Sequence, residues 1–511
     1  MSPMPDATIL LPELLLRAWD RGPEAGMAVL VQGGRIAAID ASAALGALAP
    51  EAETIDLAGS ILMPGLVNAH QHGRGVSQIQ LGYPDRRLEL WMAQRRSRRP
   101  PDFSAVTLLA AAEMLKNGVT CAVHADLAYG TGDYEAELRG AAAGYAAAGL
   151  RSTIAVGVLD QGAIVFPQAE EAGFLAGLPE AAAQRLRALA AIPPYAPDWP
   201  ATVAMMGRLE ADYAGDGLVR FCYGPSGPQW VSDGLFAAVA EDAARRGAIL
   251  HIHALETVAQ FEACRRLYPQ GTVRHLRSLG AVGPRTVFAH GVFLTDDDIA
   301  VLAEADAMVA TNPGSNLRLC DATARVSALV AAGVRVGVGS DNTTLMDDED
   351  LFSEARLASR LVGRRTWSSP DRPTGPQVLK MLTVDGAAAA GWAGEVGRIA
   401  EGWRADLVAM SLARVRTPYL DPDMPLAEAL VARGRGADVT MTMVAGRVLF
   451  RDGRFPHLDH AAIAEAAGTA AAAARLPAEP GDVALTELLR PRLADFYASL
   501  TAATRFPDEL S

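Results

Sequence analysis

Cysteine is scarce in this chain of 511 residues. Only four cysteines are present, and they form no CxxC pair: Cys121, Cys222, Cys264 and Cys320. Disulfide frameworks and thiolate zinc sites need closely spaced cysteines, so the sequence favours neither. Isolated thiols suit a reducing compartment, and we expect a cytoplasmic protein.

Positive charge and long apolar runs are also lacking. The net charge of -13 argues against nucleic acid as a partner, because phosphate backbones are bound through clustered Lys and Arg. The N-terminal run ILLPELLL is short and is broken by Pro12 and Glu13, so it predicts neither a signal peptide nor a membrane span. One basic run, QRRSRR at 94–99, is typical of a solvated helix face, with an anionic ligand as the alternative.

Apolar residues, in contrast, make up half of the chain and recur in short runs followed by helical patterns. Eight such runs predict the strands 61–70, 119–124, 151–158, 218–224, 248–253, 286–290, 307–311 and 334–341. One intervening helix is predicted over 104–118, where a serine starts the pattern and a glycine ends it. Eight strand and helix alternations predict an α/β fold, a (β/α)8 TIM barrel.

The two flanks of the barrel have glycine turns between β segments, at 27–40, 404–412 and 439–455. We therefore expect a small β-sandwich-like domain built from both chain ends, plus a C-terminal helical tail that packs on the barrel or forms an oligomer arm. The predicted domains are 1–60 and 393–455 for the two parts of the β domain, 61–392 for the barrel and 456–511 for the tail. A homo-oligomer, a dimer or higher, is expected from the tail.

Histidines are few, nine in all, yet five of them occur where predicted strands end. His70 and His72 flank one glutamine, and residues two apart in an extended segment point the same way. The other polar residues at strand ends are His124, His253, His290 and Asp341. Imidazoles together with a carboxylate form the ligand set of a catalytic zinc or iron site.

These residues lie in motifs that occur in a familiar order. HQH after PGLVNA, then HIHALE, FAHGVFL, NPGSNLRL and GVGSDN resemble the amidohydrolase superfamily, in particular its cytosine deaminase and triazine chlorohydrolase-like branch. The resemblance spans about 27 to 455 and includes GEVGRIAEGWRADLVAM at 394–410, which is similar to the segment that returns to the β domain.

The resemblance implies one divalent metal, zinc or iron, with the ligands His70, His72, His253 and Asp341. It also implies catalytic roles for Asp341, which accepts a proton of the bound water, for Glu256, which shuttles a proton to a ring nitrogen, and for His290, which polarises the substrate. The implied function is hydrolysis of a non-peptide C-N bond in a small molecule, deamination of an amino-substituted heterocycle by a metal-bound hydroxide. Alternatives are a chlorohydrolase, a urea, carbamate or amide hydrolase, and a non-catalytic binding barrel.

Several polar residues near these motifs have open roles. His251 is expected to support the ligands by packing or hydrogen bonding. His124 is undecided, Asn316 either caps a turn or braces the rim, and Arg74 and Gln78 either reach the substrate or lie on a loop surface.

The sequence departs from the family pattern in four places. Gly73-Arg74-Gly75 replaces residues that are usually apolar, and Asn342 replaces the frequent glycine or serine. Ser226 and Thr311 stand where histidines are common in purine-type deaminases, which disfavours adenosine-like substrates. Residues 347–350 form an acidic loop that either is solvated or favours an amino-rich substrate.

Overall fold

The computed structural model describes residues 7–95, 98–126, 131–191, 198–215, 217–361, 367, 369–477 and 481–510. Among the helices in those ranges, none combines the length and the apolar character that crossing a membrane requires. Two sheets organise the chain, and their strands are β1 (Ala7–Leu15), β2 (Glu24–Ala25), β3 (Met27–Gln32), β4 (Arg35–Ala41), β5 (Glu53–Pro64), β6 (Leu66–Gln71), β7 (Val119–Ala125), β8 (Arg151–Val158), β9 (Val219–Pro225), β10 (Leu250–Ala254), β11 (Thr286–His290), β12 (Met308–Thr311), β13 (Arg335–Val338), β14 (Leu407–Ser411), β15 (Val439–Val444) and β16 (Arg447–Arg451).

The strands β6 to β13 form a parallel barrel. Each strand pairs with its neighbour in chain order, and an isolated parallel bridge between Gln71 and Asp341 joins the end of β6 to the segment after β13. The amide of Asp341 donates to the carbonyl of His70 at 2.9 Å, and the amide of His72 donates to the carbonyl of Asp341 at 3.2 Å. The barrel therefore closes at the residues for which the sequence predicted metal binding.

The (β/α)8 prediction is confirmed, with one correction to the strands. The run 61–70 does not form a single strand, since Glu53–Pro64 belongs to the other sheet and the barrel strand begins at Leu66. Gly65 lies at the break, where a Cβ atom would be 2.1 Å from the hydroxyl of Thr120. An unbroken apolar run does not reveal this change of sheet, because both halves are buried.

The second sheet contains strands from both chain ends, in the order β16-β15-β14-β5-β1-β3-β4, with β2 paired to β1. Its inner face packs Leu10, Val29, Leu62, Leu407 and Met443 into one apolar cluster. The buried guanidinium of Arg151, at the start of β8, donates to both carboxylate oxygens of Asp406 at 2.6 and 2.9 Å and thus joins the barrel to the segment before β14.

The helices surround the barrel and continue into the tail. They are α1 (Ser42–Leu48), α2 (Leu88–Arg95), α3 (Phe103–Lys116), α4 (Tyr134–Ala148), α5 (Glu171–Ala176), α6 (Glu180–Ala190), α7 (Trp199–Tyr213), α8 (Asp233–Arg246), α9 (Val258–Leu267), α10 (Thr272–Ser278), α11 (Asp296–Glu304), α12 (Pro313–Arg318), α13 (Val326–Ala331), α14 (Leu351–Arg360), α15 (Gly375–Lys380), α16 (Gly386–Ala389), α17 (Ala413–Arg416), α18 (Leu426–Arg433), α19 (His460–Ala474) and α20 (Asp482–Thr501).

The tail helices α19 and α20 pack on the barrel. Leu489 and Leu493 of α20 are buried in a cluster with Ala93 of α2 and Val165, and α19 lies along α3. Aspartates cap several of these helices; the side chain of Asp102, for example, accepts from the amide of Ala105 at the start of α3. The tail therefore packs against the barrel on the side of α2, the helix that follows the first barrel strand, β6.

Candidate active site

Four side chains from three places in the barrel meet at its closure point. Nε2 of His72 lies 2.8 Å from Oδ1 of Asp341, and Nε2 of His70 lies 3.4 Å from the same oxygen. Ligand atoms of His70, His72 and His253 lie within 4.8 Å of one another, as do those of His70, His290 and Asp341. The structure thus brings together the side chains that the sequence selected as metal ligands.

The backbone at these positions is in an unusual conformation. Leu255, His290 and Asp341 have φ angles of 51°, 71° and 55°, in the left-handed region that side chains with a Cβ rarely adopt. Each lies at or just beyond the end of a barrel strand. Such strain costs about 1–3 kcal/mol per residue and is retained where the surroundings fix it, commonly at functional sites.

Neighbouring acceptors orient two of the imidazoles. Nδ1 of His72 hydrogen-bonds to the carbonyl oxygen of Ala125, so this nitrogen carries the proton and Nε2 faces Asp341 with its lone pair. Nδ1 of His70 hydrogen-bonds to Nε2 of His251 at 2.7 Å, and the two rings stack. His251 thus lies behind His70, as the sequence predicted for a supporting residue.

Burial keeps the imidazoles neutral. It lowers the pKa of His70, lowers that of His72 to about 3, and brings that of His253 well below its usual range. For Asp341, burial by itself raises the pKa, but the neighbouring imidazoles of His70 and His72 bring it well below the ordinary value. Neutral imidazoles and an ionised carboxylate are the protonation states that bind a divalent cation.

The donor set fits a zinc-type ion. Nε2 of His70 is buried and has no hydrogen-bond partner among the described residues, so a lone pair is available in the cluster. Tetrahedral ligands at bond lengths near 2.1 Å lie about 3.4 Å apart, which matches the 3.4 Å between Nε2 of His70 and Oδ1 of Asp341, whereas Nε2 of His72 is closer to that oxygen, at 2.8 Å. The other oxygen of Asp341 accepts from the hydroxyl of Ser315 at 2.5 Å, which fixes the carboxylate. Ser315 was not predicted as a site residue, although it lies in the NPGSNL motif.

Glu256 and His290 lie beside this cluster. Oε1 of Glu256 is 3.6 Å from Nδ1 of His290, and that nitrogen donates to the side-chain oxygen of Asn316 at 2.8 Å. Burial, and then the charge of Asp341, raise the pKa of Glu256 well above its usual range and favour the neutral, protonated carboxyl. Asn316 therefore braces the rim through His290, which was one of its two predicted roles.

One cavity of about 360 Å³ includes these groups and extends away from them. Its inner end is lined by strand-end residues, each less than a tenth exposed: His72, Ser226, His253, Glu256, His290, Asp341 and Asn342. Its outer end is formed by α2, α6, the following loops and the tail, with the lining residues Arg95, Arg98, Arg99, Arg185, Ala471, Ala474 and Asp482. These arginines are half-buried or exposed, whereas Ala474 and Asp482 are buried. Arg74, Gln78, Tyr83, Trp91 and Trp230 line the space between them.

Besides Nδ1 of His253, two polar atoms at the inner end have no hydrogen-bond partner within the described parts of the chain. They are the hydroxyl oxygen of Ser226, a residue 3% exposed, and the side-chain oxygen of Asn342, a residue 5% exposed. Buried polar atoms without a partner are costly, so these two are positioned to meet a ligand.

His124 does not reach this cavity. Its Nδ1 lies 3.0 Å from the hydroxyl of Tyr145, and its Nε2 lies 3.5 Å from Asp126. Gly73 has a φ of 63° and packs against the imidazole, where a Cβ atom would be 2.5 Å away. His124 thus supports the turn after His72, and the glycine in HQHG is required by that contact.

The acidic loop 347–350 is also separate from the cavity lining. Asp347 pairs with Arg318, Asp348 accepts from the hydroxyl of Thr344 at 2.9 Å, and Asp350 caps α14. Burial raises the pKa of Glu349 to about 8. Asp347 and Asp348 are nevertheless exposed, as expected for a solvated loop, and none of the residues 347–350 is among the lining residues of the cavity.

The basic run 94–99 lies at the outer end of the cavity. Arg95, Arg98 and Arg99 line the cavity, whereas Arg96 and Ser97 lie outside the described residues. A run of arginines has the same pattern whether it meets water or a ligand, so the sequence could not distinguish these cases. The tail's part in the cavity wall had no sequence signal at all.

Comparison with known sequences reveals extensive similarity. The Amidohydrolase family profile matches residues 61–449. A 5-methylthioadenosine/S-adenosylhomocysteine deaminase from Nitratidesulfovibrio vulgaris is 31% identical over 450 residues, which cover 85% of this chain and 90% of the relative. A 5'-deoxyadenosine deaminase from Methanosarcina acetivorans is 31% identical over 424 residues, covering 82% and 87%.

Solved structures have the same fold. An adenosine deaminase from Xanthomonas campestris with bound zinc superposes with a TM-score of 0.74 at 25% identity, covering 92% of this chain and 98% of that chain. Atrazine chlorohydrolase from Arthrobacter aurescens TC1, complexed with zinc, gives a TM-score of 0.75 at 22% identity, with coverages of 91% and 100%.

Proposed function

Since this chain belongs to the amidohydrolase family, we propose that it is a metal-dependent hydrolase that deaminates an amino-substituted heterocycle. The observation that carries the proposal is the pairing of a buried three-histidine and aspartate cluster with a neutral, buried Glu256 in one cavity. Such a cluster suits the binding of a cation, and a neutral carboxyl beside it suits proton donation to a substrate nitrogen.

In this proposal His70, His72, His253 and Asp341 hold the metal, and Glu256, His290 and Asp341 are catalytic. A divalent ion bound there would lower the pKa of water toward about 7 and make hydroxide available near neutrality. The ionised Asp341 accepts the proton of the attacking water, because its low pKa leaves the carboxylate free of protons at pH 7.

Glu256 donates a proton to the ring nitrogen next to the carbon under attack. Gln260 contacts Glu256 twice, because its side-chain nitrogen donates to Oε2 of the carboxyl at 3.5 Å and its side-chain oxygen accepts from the backbone amide at 2.9 Å. His290, fixed by Asn316, presents its other ring nitrogen to the substrate and stabilises the tetrahedral centre as charge develops. The amine then leaves as ammonia after protonation.

Zinc is the proposed metal, with iron as the alternative that this ligand set also suits. Support comes from the separations between ligand atoms and from two solved structures of similar fold that contain zinc. Metal analysis of protein purified without added metal tests the choice, and about one zinc per chain is expected.

The relatives that are about 31% identical are named as deaminases of adenosine-type compounds, which supports an aminopurine-like ring as one substrate candidate. Ser226 and Thr311 are two positions at which purine-type deaminases commonly have histidine, so we propose a substrate that differs from a plain adenosine. The free hydroxyl oxygen of Ser226 is available to bind that substrate.

A chlorohydrolase is the second candidate. This reaction would use the same cavity of this protein and would differ only in the leaving group. The fold shared with atrazine chlorohydrolase is the observation in its favour. Chloride leaves without protonation, so such a reaction would depend less on Glu256 than deamination does.

The test is product identification with metal-loaded protein. A panel of aminopurines, aminopyrimidines, aminotriazines, chlorotriazines and ureas is incubated with the enzyme, and ammonia, chloride and organic products are measured by mass spectrometry and ion analysis. Ammonia release from an amino-heterocycle is expected. Release of chloride alone would replace the first proposal with the second, and hydrolysis of ureas alone would exclude both.

Three further features are also proposed. The domains are proposed to be 1–60 with 393–455, 61–392 and 456–511. Four free cysteines, of which Cys320 alone is exposed, support a cytoplasmic location. A homo-oligomer is proposed because the tail exposes Leu476 and Val483, and light scattering during gel filtration would test it.

A further inference from the structure

The outer end of the cavity is strongly basic in a protein that is acidic overall. Five arginines line the cavity, Arg74, Arg95, Arg98, Arg99 and Arg185, although the chain carries a net charge of -13. Among the described residues that line the outer end, the one carboxylate is Asp482, and it is paired with Arg185 at 3.0 Å. A cleft lined by one sign of charge concentrates ligands of the opposite sign.

Two of these guanidinium groups share one aromatic ring. The guanidinium carbon of Arg74 lies 5.0 Å from the centroid of Trp91, and that of Arg95 lies 5.8 Å from the same centroid. Trp91 is buried, with 3% of its surface exposed. Stacking on a fixed ring holds an arginine in one orientation, and the planar guanidinium group suits bidentate binding of an oxyanion.

Arg98 and Arg99 each donate a hydrogen bond to a backbone carbonyl. Nη1 of Arg98 donates to the carbonyl of Leu81 at 2.6 Å, and Nε of Arg99 donates to the carbonyl of Pro477 at 3.2 Å. Both therefore attach neighbouring loops and the tail, and their positive charge acts on the cavity from a distance. Arg74 and Arg95 are the pair against Trp91.

We propose that the substrate carries an anionic group, a carboxylate or a phosphate, which Arg74 and Arg95 bind beside Trp91 while the reacting ring lies at the metal end. The inference deepens the proposed function and rests on it for the identity of the reacting ring. The sequence links the two ends directly, because Arg74 follows His72 by two residues in HQHGRG. A cavity of about 360 Å³ is within the range that holds a ring together with a substituent.

The anion site is tested by binding, without turnover. Isothermal titration calorimetry on the full-length, metal-loaded protein uses three small probes: phenylacetate, its neutral analogue phenylacetamide, and phenylphosphonate. Wild-type protein is expected to bind phenylacetate or phenylphosphonate at least about tenfold more tightly than phenylacetamide. The anion that gains more identifies whether a carboxylate or a phosphate is the natural group.

Arg95→Met retains the aliphatic stem and removes the charge, and it should reduce the preference for the anion to less than about twofold. The matched control is Arg187→Met on α6, which also removes one arginine but from a side chain that is 54% exposed, pairs with Glu180 at 3.6 Å and is not among the lining residues of the cavity. This control should bind all three probes as the wild type does. Arg95→Lys, which retains the charge, provides a variant with a smaller structural change and should keep part of the preference.

Equal affinity of the wild type for all three probes would overturn the proposal. So would an equal loss of anion preference in Arg95→Met and Arg187→Met, because the effect would then come from net charge. If no amine of the panel released ammonia, the proposed deamination would be excluded, but the binding result would still stand. The two failures are therefore distinguishable.

Discussion

The two ends of the cavity differ in how they are built. The inner end is formed by the ends of barrel strands, its side chains are almost fully buried, and hydrogen bonds determine the orientation of His70, His72 and Asp341. The outer end is formed by α2, α6 and the tail, and its arginines are partly exposed. In the proposed function, the catalytic groups therefore lie at the strand ends, and the surrounding helices and loops determine which substrate binds.

The electrostatics of the two ends differ as well. At the inner end, burial lowers the pKa of His72 and raises that of Glu256, whereas the pKa of Asp341 is held below its ordinary value by the neighbouring imidazoles. At the outer end, the lining arginines are half-buried or exposed. We therefore expect substitutions at the inner end to change the rate and those at the outer end to change the choice of substrate.

The largest expected effect is the loss of metal. Asp341→Ala or His253→Ala removes one ligand from the cluster, and bound metal should fall from about one ion per chain to well below half, with loss of detectable activity. Metal analysis after gel filtration gives the number. His275→Ala is the matched control, since this imidazole pairs with Asp233 at the surface and should leave the metal content unchanged. Full metal retention in both ligand variants would contradict the proposed metal site.

Next in size is the effect of the proton carrier. Glu256→Gln keeps the shape and the hydrogen bond with Gln260 but cannot transfer a proton, so kcat should fall by about 10² to 10⁴ while the metal is retained. Steady-state kinetics and metal analysis on one preparation give both values. Loss of metal would make Glu256 a ligand, and near-normal turnover would exclude it as the acid.

A smaller effect is expected at Ser226. Removing its hydroxyl in Ser226→Ala takes away one substrate hydrogen bond, which should raise KM by about three- to tenfold with little change in kcat. Metal content serves as the control. An unchanged KM would mean that the hydroxyl does not contact the substrate.

The smallest kinetic effect is expected in the acidic loop. Asp347→Asn with Asp348→Asn removes the pairing with Arg318 and weakens the contact with Thr344, so Tm should fall by a few degrees. KM and kcat should stay within about twofold, because the loop is not among the cavity's lining residues. A rise in KM of tenfold would restore the loop as a substrate-recruiting element.

The inner end could be predicted from the sequence because strand geometry constrains it. Side chains alternate along a strand, and parallel strands end at one rim, so His70, His72, His253, His290 and Asp341 were expected at one place before any coordinates. His124 also lies at a strand end, yet its side chain contacts Tyr145 and does not line the cavity. The pattern predicts which residues lie at the rim but not the direction of each side chain.

The outer end could not be predicted in this way. Whether Arg95 faces water or a cavity depends on how α2 docks, and the contribution of Asp482 depends on α20 folding back to Arg185, which lies 297 residues earlier in the chain. Such contacts arise from tertiary packing, which leaves no local periodicity in the sequence. For the same reason the break at Gly65 was hidden in a continuous apolar run.

Titration of metal-free protein with zinc tests the central claim most directly. Ammonia released from the best amino-heterocycle of the panel is measured at each addition, together with bound zinc. Activity should rise in proportion to zinc and level off at about one equivalent per chain, and Asp341→Ala should give no rise over the same range. Full ammonia release by the metal-free protein, or none at one bound zinc per chain with any amine of the panel, would contradict the account.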